Sequence, residues 1–558
     1  MFRLKPKIPK LTSALRDSNM SEDKYILCGI EAPFDAVEEE IFARARQKIL
    51  KAGIPCSAYD IKIYKKSIDA RHRGVIKAVC SVSLDFSKDG KIYASALDKL
   101  GAKRQKSGEL NIIKGEERMK KPPLVVGMGP AGMFCALLLA SEGYCPVLID
   151  RGDCVAARTA AVERFYKFGV LDPDSNIQFG AGGAGTFSDG KLMTRINDPL
   201  VSYVLEKFYE FGAPKEILLK AKPHIGTDIL SAVVENILQR IKDLGGKVIY
   251  RCRLERINER ENGEVEAVTN HGDIDCSCCV LALGHSARDT YKMLLDEGFE
   301  IIGKPFSVGV RIEHRREDIE KALFGKYAGH PALGAAEYAL SDTGTDRGVY
   351  TFCMCPGGEV VAAASEEGGV VVNGMSRYKR DGVNSNSAVA VSVKLSDIEP
   401  VDGSAVLGAI AFQRSIEMKA FSEGGSDYRV PVQTVGDFLK MKEGSKPGRI
   451  MPTYMGGDRY KLSDVDRIFP EFITDALRYG ILSFDRKIKG FACGEAVLSA
   501  PETRTSSPLR ILRTEELTAL GKRNIYPCGE GAGYAGGITS AAVDGVKVAL
   551  EIMKRWQA

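Results

Sequence analysis

VVGMGPAGMF, residues 125–134, is the stretch of sequence that decides the fold. Its glycines have the G-x-G-x-x-G spacing (Gly127, Gly129 and Gly132), and they stand between an apolar segment typical of a buried strand and a run of helix-forming residues. In this motif the first glycine makes the tight turn, the second lets a pyrophosphate approach the backbone, and the third lets helix and strand pack closely. The helix start at Pro130 and Ala131 offers unpaired N–H groups to phosphates. The stretch therefore predicts a dinucleotide site.

Asp150 extends this pattern. It follows Gly127 by 23 residues and ends the predicted strand 146–150, where a carboxylate can accept a hydrogen bond from an adenosine ribose hydroxyl. The carboxylate argues against a ribose 2′-phosphate at this position, although Arg151 stands beside it. The order strand, helix, strand predicts the opening of a doubly wound α/β domain, with an incidental glycine turn as the alternative.

The composition places the chain among globular proteins. It has 558 residues, of which 44% are hydrophobic and 27% charged, and these values exclude the disordered, collagen-like and coiled-coil classes. Its 58 glycines predict many tight turns or close backbone approaches. The 14 cysteines, in a chain this long, indicate thiols in a reducing compartment, so we expect a cytoplasmic protein.

Neither a membrane span nor a metal site is expected. Residues 122–141 carry no charge, but the glycines and prolines within them would break a membrane helix. Cys276, Cys278 and Cys279 lack the spacing and the histidine partners of a metal site. They are therefore interpreted as strand thiols.

The predicted domains run in the order unstructured lead (1–22), small α+β module (23–100), linker (101–121), first segment of the nucleotide-binding domain (122–302), inserted and mostly β substrate domain (303–486), and second segment of the nucleotide-binding domain (487–558). Residues 1–121 carry 26 Lys and Arg against 16 Asp and Glu, whereas the rest of the chain carries 52 against 57. A predicted loop at residues 65–73 concentrates this positive charge. A solvated basic face is the favoured interpretation, and nucleic-acid binding is the alternative.

A segment far downstream indicates which dinucleotide to expect. Residues 525–531 predict a strand that ends in a glycine turn, and residues 536–542 predict a helix start. Here the sequence resembles the glutathione-reductase-type Rossmann flavoproteins. In that superfamily the acidic residue after the strand, here Glu530, binds the flavin ribityl hydroxyls, and the next helix points its N-terminus at the flavin ring. The resemblance implies FAD, and an ordinary strand–helix crossover with a solvated Glu530 is the alternative.

More closely, the chain resembles a family of bacterial FAD-dependent dehydrogenases with an N-terminal basic module. The resemblance spans residues 24–558 and rests on KKSIDAR (65–71), GGAGTFSDGKL (182–192), ALGHSARD (282–289), FCMCPGG (352–358), NGMS (373–376), NSNSA (384–388), PETRTSSPLRI (501–511) and GEGAGYAGGITSAA (529–542). It implies a discontinuous Rossmann-type FAD-binding domain, with an inserted mixed, mostly β substrate domain and a small N-terminal α+β domain.

The motifs together give the candidate cofactor-binding residues. Residues 182–191 predict a glycine nest whose N–H groups suit flavin phosphates or the ring edge, and a flexible surface loop is the alternative. The segment ALG at 282–284 resembles the A-T-G element of the flavoprotein superfamily. The candidates are Gly127, Gly129, Pro130, Ala131, Gly132, Asp150, Arg151, Gly183, Gly185, Thr186, Ser188, Lys191, Gly284, Gly529, Glu530, Gly537, Ile538 and Thr539.

Three other residues are candidates for catalysis. His285 could donate a proton at the flavin, or it could be a structural turn histidine. Cys355 could form a redox pair with Cys353, but a C-x-C disulfide is strained, so packed thiols are favoured. Arg504 could bind an anionic substrate, and ion pairing within the protein is an equal alternative.

These features predict an FAD-dependent oxidoreductase that transfers hydride between flavin and an unidentified small molecule, which would be anionic if Arg504 binds it. NAD(P)H is expected only as a transient co-substrate. One alternative is an NAD-dependent dehydrogenase that uses the site from Gly127 to Asp150 alone. The other is a non-enzymatic flavin-binding or RNA-associated protein that uses the basic module. The sequence does not predict the oligomeric state.

Overall fold

The structure, a computed structural model, describes residues 24–72, 75–86, 93–105 and 110–558. These residues form two compact units. The smaller holds residues 24–69, 77–86 and 93–105, and the larger holds residues 70–72, 75–76 and 110–558. The predicted unstructured lead at 1–22, residues 106–109 of the predicted linker, and Arg73 lie outside the described residues.

The elements up to residue 105 include both strands and helices. They are β1 (Lys24–Pro33), α1 (Glu38–Lys51), β2 (Tyr59–His72), β3 (Val75–Phe86), α2 (Ala94–Lys99) and β4 (Lys103–Arg104), and the sheet order is β2-β3-β1-β4. Helix α1 buries Ile41, Ala45 and Ile49, which share one face because they are four residues apart. Val37, which has the same spacing, precedes the helix and is exposed.

The predicted charged loop at residues 65–73 was wrong, because residues 65–72 continue strand β2. Lys66 Nζ donates to the carbonyl of Ala36 (3.2 Å), and Ser67 Oγ donates to the carbonyl of Val79 (3.0 Å). The backbone here is extended, so successive charged side chains point to opposite faces of a strand and do not form a turn.

The first half of the larger unit contains β5 (Glu117–Arg118), β6 (Leu124–Val126), α3 (Pro130–Ser141), β7 (Val147–Ile149), α4 (Val155–Phe168), α5 (Leu200–Glu210), α6 (Thr227–Asp243), β8 (Lys247–Ile249), β9 (Leu254–Glu259), β10 (Val265–Thr269), β11 (Gly272–Cys276), β12 (Cys279–Leu281), α7 (Arg288–Asp296) and β13 (Ile301–Gly303). The second half contains β14 (Phe306–Arg315), α8 (Arg316–Phe324), β15 (Ser341–Asp342), β16 (Val349–Cys355), β17 (Glu359–Ala362), β18 (Val372–Met375), β19 (Asn384–Val393), α9 (Ala405–Glu423), β20 (Val430–Thr434), α10 (Val435–Leu439), β21 (Tyr460–Leu462), α11 (Glu471–Lys487), β22 (Val497–Glu502), β23 (Leu509–Ile511), β24 (Ile525–Pro527), α12 (Ile538–Arg555) and β25 (Trp556–Gln557).

A five-stranded parallel sheet positions the site, with the strand order β24-β12-β6-β7-β8. The predicted strand–helix–strand opening is confirmed as β6, α3 and β7. Helix α3 is buried on nearly every side, which explains its uniformly apolar sequence. Strand β24 comes from the far end of the chain, so two distant segments complete one parallel sheet.

A mixed seven-stranded sheet has the order β15-β16-β19-β14-β22-β20-β21. Its central pair, β14 and β19, is antiparallel and in register from Phe306 opposite Val393 to Arg315 opposite Asn384. Strand β22 pairs with β14 in this sheet, so the sheet extends past the predicted boundary at residue 486.

The last residues of the predicted linker belong to the larger unit. Strand β5 pairs in parallel with β25, and the Gly115 amide donates to the carbonyl of Met553 (2.8 Å). Those backbone bonds give this stretch a fixed path that its Lys- and Glu-rich composition did not indicate. Over the described ranges, no helix has both the length and the apolar character to cross a bilayer.

Candidate functional site

The predicted glycine segments meet at the carboxyl end of the five-stranded sheet. A Cβ on Gly132 would lie 1.9 Å from the carbonyl oxygen of Gly127, so this glycine allows α3 to pack on the turn after β6. A Cβ on Gly183 would lie 2.9 Å from Gly129 Cα, and one on Gly529 would lie 2.7 Å from Ala131 Cβ. Backbone from three distant regions of the chain therefore converges on the start of α3.

Four other glycines at this edge of the sheet border open space instead of packing against neighbouring atoms. Across the described residues of the chain, Gly129, Gly284, Gly536 and Gly537 are the glycines with neither a left-handed φ nor any atom within 4 Å of an added Cβ. Neither backbone conformation nor packing requires glycine at these positions. All four lie in segments that the sequence assigned to a cofactor. The open space beside them is what a bound group would fill.

Two helices begin at this open space. Helix α3 follows Gly129 and α12 follows Gly537, and among the residues described here no side chain caps either N-terminus. Their first-turn N–H groups are thus available to an anion or a polar ring edge. Ile538, at the start of α12, lies against Gly185, and the Thr539 hydroxyl donates to the Leu192 carbonyl (2.7 Å). The start of α12 is therefore fixed to the glycine nest.

Asp150 lies where the sequence predicted, at the end of β7. Its two carboxylate oxygens accept from the amides of Met128 and Gly152, at 2.8 Å each. These bonds fix the glycine turn, and each oxygen keeps a lone pair for a further donor. Arg151, in contrast, is bound to other residues of the protein. It forms a two-bond pair with Asp289 (2.9 and 2.6 Å), which makes the predicted role in cofactor binding a poor fit.

No residue of the glycine nest is exposed, and internal hydrogen bonds hold its backbone, which argues against the alternative of a flexible surface loop. Ser188 Oγ donates to the Gly185 carbonyl (2.6 Å) and accepts from the Gly190 amide (3.0 Å), while the Thr186 side chain is buried inside the loop. Lys191 extends away from the nest and donates to the carbonyl of Met354 on β16. Among these candidates, the backbone of the nest, not its hydroxyls, faces the start of α3.

Arg158, which the sequence reasoning missed, fixes the backbone that leads into the nest. It is fully buried, and its guanidinium donates to the carbonyls of Asn176 (2.7 Å), Ile177 (2.7 Å) and Ala181 (2.7 Å). An arginine in an otherwise small and apolar helical segment was the available sequence signal. Burial lowers the pKa of Arg158 to about 10, so it stays charged at neutral pH.

Glu530 and His285 approach each other at the end of β12 and β24. Glu530 Oε1 lies 3.6 Å from His285 Nδ1, and the Glu530 side chain keeps 28% of its surface exposed. Burial raises the pKa of Glu530 to about 7. Burial, together with the charges of Arg504 and Arg288, lowers the pKa of His285 to about 3. His285 is therefore a neutral imidazole at physiological pH, which argues against the proton-donor role.

His285 is nonetheless placed to contact a ligand. Its Nε2 is buried and has no hydrogen-bond partner among the described residues, and the same holds for the Ser286 hydroxyl. Buried polar atoms without a partner are rare and call for an explanation. Gly284 precedes them, and its carbonyl accepts from the Tyr291 hydroxyl (2.9 Å). The segment 284–286 thus presents unsatisfied polar atoms beside an open glycine.

Arg504 is held inside the protein, and the predicted role in substrate binding is replaced by the ion-pair alternative. Its Nε and Nη2 donate to Glu417 (3.1 and 3.0 Å), and Arg288 donates to the same carboxylate (2.8 and 2.9 Å). Glu417 is fully buried, and the two guanidiniums lower its pKa despite burial. Of these three residues, Glu417 lines a cavity of about 540 Å³, together with Arg151 and Phe179.

The two candidate cysteines lie on β16, at an irregularity that the sequence did not indicate. Strand β16 shifts register between Phe352 and Cys355, and Cys353 has a φ of +45°. The two cysteines therefore do not lie in a regular extended strand, because a β-bulge lies at Cys353. Arg311, a buried cation on β14 that the sequence reasoning missed, donates to the Cys353 carbonyl (2.9 Å). Its signal was a charged residue inside an apolar strand.

Comparisons with known proteins agree with an FAD-dependent protein. Residues 305–505 match the family described as "FAD-dependent protein, C-terminal domain-like". An uncharacterised protein of Clostridium beijerinckii is 47% identical over 499 residues, which covers 89% of this chain and 92% of the relative.

Solved structures are similar only at a low level. CtdE in complex with FAD is 11% identical, with a TM-score of 0.31 over 78% of this chain and 86% of that chain. Glycine oxidase from Geobacillus kaustophilus is 10% identical, with a TM-score of 0.32 over 79% and 96%. Similarity this low identifies no function. The assignment follows from the clostridial relative and the matched family: the chain belongs to the family of that clostridial protein and carries the C-terminal domain of FAD-dependent proteins.

Proposed function

We propose that this protein is an FAD-dependent oxidoreductase that holds its cofactor along the carboxyl edge of the five-stranded sheet. The observation that carries the proposal is the set of open glycines, Gly129, Gly284, Gly536 and Gly537. Side chains at these positions would enter the space that the two uncapped helix starts face. The matched family at residues 305–505 supports FAD as the group that occupies it.

The residues around this space fit the moieties of FAD. The N–H groups at the start of α3 suit the pyrophosphate, and Asp150 has lone pairs left for the adenosine ribose. Glu530 suits the ribityl hydroxyls, and the start of α12 would stabilise negative charge on the reduced ring. FAD, when bound, supplies hydride transfer, while the protein orients it and tunes its electronics.

The substrate in this proposal is a small molecule of unspecified class. Arg504 no longer supports an anionic substrate, since its guanidinium pairs with Glu417. Lys304 is a cation whose charge acts on Glu530, and burial beside Arg510 lowers the pKa of Lys304. A partly buried lysine of this kind can bind an anionic group. NAD(P)H remains a proposed transient co-substrate.

The cofactor can be identified directly. The purified protein is denatured, the released small molecule is identified by mass spectrometry, and FAD is then titrated into the stripped protein. We expect one FAD per chain. Glu530→Ala is expected to weaken FAD binding roughly 10-fold or more, because a hydrogen bond to a charged group contributes about 1.5–3 kcal/mol.

The matched control is Glu515→Ala, which removes an exposed carboxylate from the same C-terminal segment and should leave FAD binding unchanged. A protein that neither contains nor binds flavin would overturn the proposal. Activity that appears only with NAD, without any flavin, would support the NAD-dependent alternative instead.

A further inference from the structure

The cysteines on β16 lie in a backbone bulge that brings them toward each other. In a regular strand, residues two apart have Cα atoms separated by about 6.6–6.8 Å, at the upper limit of what a disulfide spans. The left-handed φ of Cys353 folds the chain back within this interval. Cys355 Sγ lies 3.2 Å from the Cys353 carbonyl oxygen, so its side chain points back along the strand toward Cys353.

Buried cations hold this bulge. The Cys353 carbonyl accepts from Arg311, and the Met354 carbonyl accepts from Lys191. Arg311 Nη1 also lies 3.8 Å from Cys355 Sγ. Arg311 is fully buried and is bound on its other edge by Glu502 (2.5 and 3.0 Å). The carbonyls of two consecutive residues at the bulge therefore accept hydrogen bonds from positive side chains next to the thiols.

The thiols have different chemical environments. A hydrogen bond from Cys355, together with the charges of Lys191 and Arg311, lowers the pKa of Cys353. The same hydrogen bond and burial raise the pKa of Cys355. Cys353 is half-buried, whereas Cys355 is fully buried. A reachable thiolate beside a protonated partner is the arrangement that thiol–disulfide exchange requires.

The pair lies beside the glycine nest, because Lys191 of the nest donates to the carbonyl of Met354, which stands between the two cysteines. Lys191, which holds the bulge, is the last residue of the glycine nest. Acidic groups in this region are already paired, since Asp189 binds Arg380 and Glu502 binds Arg311. Lys191 and Arg311 are the cations whose charges act on the Cys353 thiol.

We propose that Cys353 and Cys355 form a reversible dithiol–disulfide couple that exchanges electrons with the flavin. The proposal rests on the proposed function for its electron acceptor. In the oxidising direction the Cys353 thiolate and the Cys355 thiol form the Sγ–Sγ bond, and the S–H bond of Cys355 breaks. Two electrons and that proton pass to oxidised flavin, which becomes the anionic reduced flavin. One small thiol then attacks the disulfide at Cys353 to form a mixed disulfide, and a second resolves it, so that the protein dithiol is restored and the small thiols leave as one disulfide; the substrate class is a thiol–disulfide pair.

Mass spectrometry of the wild-type holoprotein tests the couple itself. The protein is equilibrated in buffers of dithiothreitol and its oxidised form at several ratios, quenched in acid, and alkylated with N-ethylmaleimide after unfolding. The expected result is a peptide containing residues 353–355 that changes reversibly from two alkyl groups to none, with the loss of two hydrogens. A peptide that keeps two alkyl groups at every ratio overturns the proposal.

An anaerobic reductive titration tests exchange with the flavin. We expect about four electrons per flavin in the wild type, and two in Cys353→Ser and Cys355→Ser. Cys493→Ser is the control, because it removes a partly accessible free thiol outside β16 and should retain four. A wild-type value of two with flavin bound refutes the exchange. If the protein holds no flavin, the proposed function fails as well, whereas failure with flavin present leaves the proposed function intact.

Discussion

Gly129→Ala separates cofactor binding from folding more cleanly than other substitutions at the site. The backbone at Gly129 has φ −72° and ψ 178°, which alanine adopts without strain, and its Cβ would meet no atom within 4 Å. Alanine is a poorer N-cap than glycine, but it also restricts the unfolded chain, and these effects nearly cancel. We expect the free energy of unfolding of the stripped protein to change by less than about 1 kcal/mol.

The effect on the cofactor should be much larger. The added methyl group would enter the space that the N–H groups at the start of α3 face, and it would displace at least one phosphate oxygen. Loss of one hydrogen bond to a charged group costs about 1.5–3 kcal/mol, which raises the Kd for FAD roughly 10- to 100-fold. Denaturant unfolding followed by circular dichroism measures the free energy of unfolding, and titration followed by flavin fluorescence measures the Kd for FAD.

Gly132→Ala is the contrasting variant. Its Cβ would lie 1.9 Å from the Gly127 carbonyl, so the helix must move and the protein itself should lose about 1–3 kcal/mol of stability. The reasoning is refuted if Gly129→Ala binds FAD as tightly as the wild type. It is also refuted if Gly129→Ala destabilises the stripped protein as much as Gly132→Ala does.

Three further outcomes follow from the charges around the site. Because burial raises the pKa of Glu530 to about 7, protonated Glu530 stabilises the free protein fully below the unfolded pKa, and this stabilisation is lost as pH rises through 7. A ribityl hydroxyl that donates to Glu530 favours the carboxylate, so FAD should bind more tightly as pH rises from about 6 to 8 and should release a proton on binding in that range. Calorimetric titration measures both effects, and both should be absent in Glu530→Gln. Arg311→Met leaves Glu502 buried without its partner, and denaturant unfolding should show a loss of about 3–5 kcal/mol, partly recovered in Arg311→Met/Glu502→Leu. Lys191→Met removes a charge that lowers the pKa of Cys353, so the pH midpoint of Cys353 alkylation in the folded protein, followed by mass spectrometry of the digested peptide, should move upward.

The elements of the fold that the sequence predicted are those encoded locally. The turn at Gly127, the uniformly apolar helix α3 and the strand ending at Asp150 follow from spacing within about 25 residues, and the structure confirms each. Strand β24 and helix α12 were also predicted individually. That β24 belongs to the same sheet as β6 and β7 followed from the family resemblance, not from any periodicity in the residues.

The features that the sequence did not predict depend on partners far along the chain. From the sequence, Arg504 was a candidate to bind an anionic substrate, because nothing in the sequence indicates that it pairs with Glu417, 87 residues away. The boundary at residue 486 was misplaced because β22 finds its partner in β14, almost 200 residues earlier. The bulge at Cys353 depends on Arg311 and Lys191, which reach it from other elements. Periodicity reports which face of an element is buried, and it does not report which charge will lie opposite.

The irregular backbone around the site shares one means of support. Arg158 binds the carbonyls that lead into the glycine nest, Arg311 binds that of Cys353, and Lys191 binds that of Met354. Carbonyls outside helices and sheets would otherwise be buried without donors, and long cationic side chains satisfy several of them without forming regular structure. These bonds are made by the protein alone, so the segments that face the open glycines keep their shape before any cofactor binds. A preformed site of this kind spends none of the binding free energy on ordering glycine-rich loops, whose conformational entropy is the largest of any residue type.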